Sequence, residues 1–154
     1  MSAPDEPSPS RLVKAFYQRI WNDGDLDAAR ELLTDDFVFR GSLGAELFGV
    51  AAFTGYVRSV REALADYRCD ILTCVSEGER AFAKMRFSGR HVGTLRGYAP
   101  TGRPVQWLGA ALFRFDGAAI AHLWVLGDLV SLDAMLKAHA GPNQGLPPAA
   151  SEPR

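Results

Sequence analysis

A chain of 154 residues with 47% hydrophobic and 23% charged residues has room for one domain with a sizeable core. A net charge of −1 gives no basic excess to offset phosphate repulsion, and the apolar runs are too short to span a bilayer, so nucleic acid and membrane drop out as expected partners. The first ten residues, rich in Pro and Ser and without a basic end or apolar run, read as a flexible leader rather than a secretory signal, which leads us to expect a cytoplasmic protein.

From Leu12 to Trp21 the apolar residues Leu12, Val13, Phe16, Tyr17, Ile20 and Trp21 recur at helical spacing, and Asn22-Asp23-Gly24 ends the helix. Asp25 is expected to cap a second short helix with Leu26, Ala29, Leu32 and Leu33 as its buried stripe. Asp36 to Arg40 reads as a short strand and Gly41 to Gly49 as a loop. A third helix then carries Phe53, Val57, Val60 and Leu64 on one face, with Tyr56 beside them.

After Asp66 the pattern alternates, predicting strands at Tyr67 to Val75, Arg80 to Val92, Val105 to Phe115 and Ala118 to Leu126. Gly78 and Gly117 supply the positive φ of tight hairpin turns. Beyond Asp128 a last helix, with Leu129, Leu132, Met135 and Leu136 as its stripe, should stop at Gly141, before a disordered tail over 141–154. Helices followed by a meander describe an α+β domain over 11–140, with helices on one sheet face and a small-molecule cavity at the open end.

Few residues could carry chemistry. His91 continues the inward row Ala81, Ala83, Met85 and Phe87, where an imidazole can shuttle protons or bind a ligand; on the spacing alone a structural histidine is the favoured reading. Unbroken alternation puts Ile120, His122, Trp124, Leu126 and Asp128 on one face of the last strand, so Asp128 could be a desolvated proton shuttle; it is equally placed to cap the last helix. Tyr17, Trp21, Tyr56, Trp107 and Phe113 are further candidates for the wall. Cys69 and Cys74, an odd number of residues apart in one strand, should face opposite ways and not form a disulfide. Metal-binding spacings, a GxSxG elbow, a P-loop and a GxGxxG turn are all missing, so neither metal nor cofactor is expected.

Four segments together resemble the SnoaL-like polyketide cyclase or ester cyclase family of the NTF2-like superfamily: Phe16-Tyr17-Gln-Arg-Ile-Trp21-Asn-Asp-Gly24, Gly89-Arg-His91-Val-Gly93, Gly97-Tyr98-Ala-Pro100-Thr-Gly-Arg103 and His122-Leu-Trp124-Val-Leu-Gly-Asp128. The resemblance spans roughly residues 11 to 137. It implies a cone-shaped, curved antiparallel sheet packed with the N-terminal helices around one pocket, and commonly a homodimer through the sheet's outer face, here with Leu108, Ala110 and Leu112. It further implies cofactor-independent aldol or isomerisation chemistry on a small hydrophobic carbonyl compound, with Asp128 as acid and base. Characterised cyclases place a histidine near the position of Phe113, a departure that brings forward the alternative of a non-catalytic binding protein for a flat hydrophobic ligand.

Overall fold

A computed structural model describes residues 8–42 and 46–141. The leader residues 1–7, the loop residues 43–45 and the tail 142–154 lie outside the described residues. The first helix opens inside the expected leader: Ser8 caps α1 (Pro9–Ala15) by accepting from the Arg11 amide, with proline in the first turn, where its missing N–H costs nothing. The helix runs on without a break into a π-helical segment (Phe16–Asn22), then α2 (Ala28–Leu32), β1 (Leu33–Arg40), β2 (Glu46–Phe48) and α3 (Val50–Ala63). β3 (Leu64–Glu77), β4 (Arg80–His91), β5 (Pro104–Asp116), β6 (Ala119–Gly127) and α4 (Leu129–Ala140) complete the order.

Six strands form one sheet in the order β2-β1-β6-β5-β4-β3. β3 to β6 are antiparallel neighbours, joined at Gly78 and Gly117 by turns in which both glycines have positive φ (57° and 61°). The sheet departs from wholly antiparallel where β1 runs parallel to β6, so it is a mixed, unclosed sheet. β1 begins at Leu33, earlier than expected, because Leu33 pairs with Ile120. β2 arises at the end of the expected loop, pairing Leu47 with Phe39. Asp25 does not cap α2: its carboxylate pairs with Arg19, and Asp27 takes the N-cap position.

Register shifts occur in β1, β3 and β6, and two of them decide which way the candidate side chains point, because one unpaired residue moves all that follow to the opposite face. In β3 the register slips between Ile71 and Thr73, so Cys69, opposite Phe87, and Cys74, opposite Ala83, both face inward. That corrects the expected opposition of the two thiols. Both are free, and five residues of extended chain separate them by roughly 16 Å, well beyond disulfide reach. In β6 the register slips at Ala121, since Phe115 pairs with Ile120 but Arg114 with His122.

The core lies between the inner sheet face and the helices. Phe16, Phe53 and Phe113, none accessible to solvent, pack at ring-centroid distances of 5.7 Å (Phe16 to Phe53) and 5.5 Å (Phe16 to Phe113). Phe113 also meets Tyr17 and Phe115. Removing that ring would leave a hole that rigid neighbours on three sides cannot close, so Phe113→Ala should lower the unfolding free energy by about 3–5 kcal/mol in denaturant titration. A loss below 1 kcal/mol would contradict this placement.

Candidate functional site

The π-helical turn aims two aromatic residues at the sheet. Its wider hydrogen bonding, with the Asp23 amide reaching the Gln18 carbonyl at 2.8 Å, presents Tyr17, Ile20 and Trp21 together on the buried side. The end of the turn is clamped. Asn22 donates to the Cys69 carbonyl (3.2 Å) and accepts from the Cys69 amide (2.7 Å), while Arg61 donates to the carbonyls of Trp21 and Asn22. Gly24, with φ 71°, lets the chain turn closely over the Arg61 guanidinium.

Beside this turn lies a cavity of about 310 Å³, at the small end of the range of small-molecule pockets. Seven aromatic residues line it: Tyr17, Trp21, Phe39, Tyr56, Tyr67, Phe87 and Trp107. Six of their rings form a chain in which each meets the next. Phe39 lies 5.3 Å from Tyr56, Tyr56 6.0 Å from Trp21, Trp21 5.3 Å from Tyr67, Tyr67 6.5 Å from Trp107, and Trp107 5.5 Å from Phe87. Leu47, Val60, Leu64, Leu95, Leu123, Val125, Leu129 and Leu132 fill the gaps between them, with Gly41, Ser42 and Arg96 completing the wall. The wall has room for the large rings because two strand glycines stand behind them. A Cβ on Gly109 would fall 2.4 Å from the Phe87 ring, and one on Gly127 would fall 3.2 Å from the Trp107 Nε1.

Apart from Arg96, the polar side chains on this wall are neutral. Burial pushes the Tyr17 and Tyr67 phenols well above their ordinary range and raises Tyr56 as well, so all three remain protonated at physiological pH. The Tyr17 hydroxyl is buried without a hydrogen-bond partner among the described residues. Among the described lining residues none is Asp, Glu or His, and Arg96 is the single charged one.

Five of the residues expected at the site are on this wall: Tyr17, Trp21, Tyr56, Phe87 and Trp107. The other five are elsewhere. Phe113 belongs to the core beneath the helices. His122 and Trp124 are turned to the outer sheet face by the slip at Ala121, and Trp124 there underlies the Arg40 guanidinium, 5.4 Å from its ring centroid. Leu123 and Val125 take their place on the wall.

His91 is fully buried, yet it does not line the cavity. Its Nε2 donates to the Tyr98 carbonyl (3.2 Å), which leaves Nδ1 to accept from the Thr101 hydroxyl (3.4 Å). Backbone bonds from His91 to Arg103 and Gly102 complete its hold on the 92–103 connection. Asp128 is exposed and caps α4, accepting from the Ser131 amide (3.0 Å) and hydroxyl (2.7 Å). These two bonds hold its carboxyl below the ordinary carboxylate range, the reverse of a desolvated proton shuttle.

Sequence reasoning missed Phe39, Tyr67, Leu95, Arg96, Leu123 and Val125. A signal existed for Phe39, which alternates with Val38 and Arg40 in the expected first strand. No local pattern announces the bulge that turns Leu123 and Val125 inward. Among the described residues, no group of three or more His, Cys, Asp or Glu stands close enough to hold a metal ion. No helix of the described residues is long and apolar enough to cross a membrane.

A curved, unclosed sheet packed with helices, with an aromatic-lined cavity beside it, is an α+β fold of the ketosteroid isomerase-like, NTF2-like kind. The chain belongs to the SnoaL-like polyketide cyclase family, whose profile matches residues 11–136. A protein from Jannaschia sp. CCS1 assigned to the SnoaL-like polyketide cyclases is 20% identical and superposes with a TM-score of 0.78, over 92% of this chain and 98% of that one. TsrD from Streptomyces laurentii is 25% identical, with a TM-score of 0.74 over 85% and 98% of the two chains. A protein from Catenulispora acidiphila with a ketosteroid isomerase-like fold, solved with trimethylamine, is 18% identical, with a TM-score of 0.69 over 86% and 92%. No protein of curated function matches the chain.

The capping role of Asp128 has a measurable signature. Asp128→Ala should lower Tm by roughly 2–4 °C at pH 7, whereas Asp128→Asn, which retains a capping oxygen, should come close to wild type. A carboxyl whose folded pKa is depressed stabilises above its unfolded value of about 3.9 and loses that contribution as pH falls through the folded one. The gap between wild type and Asp128→Ala in thermal melts should therefore narrow below about pH 4. A gap that widens on acidification would refute the cap.

Proposed function

We propose that this chain binds a compact, uncharged, largely aromatic molecule carrying oxygen acceptors. The observation that carries this reading is the cavity wall itself: seven aromatic residues and several donors, with no carboxylate or imidazole among the described lining residues. Such a wall gains from burying flat apolar surface and from ring-to-ring contact. The phenols of Tyr17, Tyr56 and Tyr67 and the indole of Trp107 favour a ligand with carbonyl or hydroxyl oxygens over one built of hydrocarbon alone. Membership of the SnoaL-like polyketide cyclases supports a polyketide-type carbonyl compound as that ligand.

Acid/base catalysis by Asp128 finds no support in the geometry, because its carboxylate is committed to Ser131 outside the cavity. On a flexible polyketone the wall would hold distant carbons close together by confinement, with phenol donors available to its carbonyl oxygens. The free thiols Cys69 and Cys74 suit a reducing compartment, and we take the cytoplasm as the setting.

Fluorescence titration with N-phenylnaphthylamine, a neutral aromatic probe, tests the pocket. Wild type should bind it saturably, Val125→Trp, which fills the cavity from β6, should weaken binding by at least about tenfold, and Asp128→Asn should leave it within about twofold. Equal binding by Val125→Trp would place the probe elsewhere; a tenfold loss in Asp128→Asn would return that residue to the site.

The outer face of the sheet supports a homodimer. Phe82, Leu112 and Trp124 stand in register across β4, β5 and β6, beside Leu108 (47% exposed) and Leu126 (48% exposed). An apolar row of this kind on a polar surface marks an association face, and a two-fold axis lets one patch serve both copies. Sedimentation velocity at micromolar concentration should give a dimer for wild type and a monomer for Leu112→Arg, with probe affinity unchanged. A monomeric wild type would end this part of the proposal.

A further inference from the structure

The single charge on the described wall is held in an unusual way. Arg96 and Gly97 form a two-residue turn between Leu95 and Tyr98, which exchange both backbone hydrogen bonds (3.0 and 2.9 Å). Both turn residues have positive φ, 50° and 86°. For Gly97 that is ordinary; for Arg96 it is a left-handed conformation that a side chain resists, so the surroundings must fix it. Those backbone bonds hold the turn, and Asp133 holds the side chain. Arg96 donates from Nε to Oδ1 and from Nη2 to Oδ2 (2.9 Å), a two-pronged pair that matches the guanidinium fork to a carboxylate. Asp133 sits on α4 next to Leu132 and one turn beyond Leu129, both of which line the cavity.

The pair therefore joins the 92–103 connection to α4 at the cavity wall and commits the guanidinium before any ligand arrives. A free arginine in an otherwise apolar pocket would select anions strongly. Occupied by Asp133, it has no such pull, and an anionic ligand must either displace a preformed carboxylate or leave its own charge unpaired beside it. From this arrangement we propose that Asp133 is a specificity-determining residue, setting the pocket to uncharged ligands by neutralising Arg96. The inference rests on the cavity being the binding site.

Two probes that differ by one sulfonate test it: N-phenylnaphthylamine and anilinonaphthalene sulfonate, each titrated into the full chain by fluorescence. Wild type should prefer the neutral amine. Asp133→Asn should tighten the sulfonate by about tenfold, the gain expected of a charge-assisted contact, and leave the amine within about twofold. Asp133→Glu, which retains the charge, should behave as wild type, and adding Arg96→Met to Asp133→Asn should abolish the gain. The inference is overturned by an unchanged sulfonate affinity in Asp133→Asn, by equal tightening of both probes, or by a gain that survives Arg96→Met. If neither probe binds wild type, the pocket reading fails first and this one with it.

Discussion

A strand presents its side chains alternately to its two faces, so one extra residue turns everything beyond it over. In β6 that residue is Ala121, and the slip there settles what the cavity contains. Before it, Ile120 faces the core; after it, Leu123 and Val125 face the cavity while His122, Trp124 and Leu126 face outward. Gly127 then falls on the inside against Trp107 and Ser42, and Asp128 emerges at the surface as α4 begins. An unbroken strand would have lined the same cavity with an imidazole, an indole and a carboxylate. The one-residue shift replaces them with aliphatic side chains.

The groups most able to do chemistry are engaged in holding backbone. His91 uses both ring nitrogens to tie down the 92–103 connection, Asp128 closes the first turn of α4, and Asp133 holds Arg96. For the buried His91 the arrangement satisfies ring nitrogens that would otherwise be costly where they sit, and together the three form a frame around the apolar wall. The phenols remain, and burial keeps them protonated.

Precision in such a wall comes from its supports. Asn22 and Arg61 fix the end of the π-helical turn, so Trp21 meets Phe53, Tyr56 and Tyr67 at once. Behind them the Phe16–Phe53–Phe113 cluster forms a rigid floor. Interlocked rings lose little conformational freedom when a flat ligand enters, which favours shape selection over adaptation.

The sequence by itself determined the order of elements apart from β2, both hairpin turns, the N-terminal amphipathic helix, the inward row of β4 and the stop at Gly141, because each follows from a local period or from a glycine with one conformational role. It also pointed to five wall residues, Tyr17, Trp21, Tyr56, Phe87 and Trp107, whose faces follow from unbroken helical or strand periods. Tertiary structure alone decided the rest. The parallel pairing of β1 with β6 and the slips in β3 and β6 are agreements between segments far apart in the chain, so no local pattern records them. Which hydrogen-bond partners Asp128 and His91 meet was likewise decided by what the fold brought within reach.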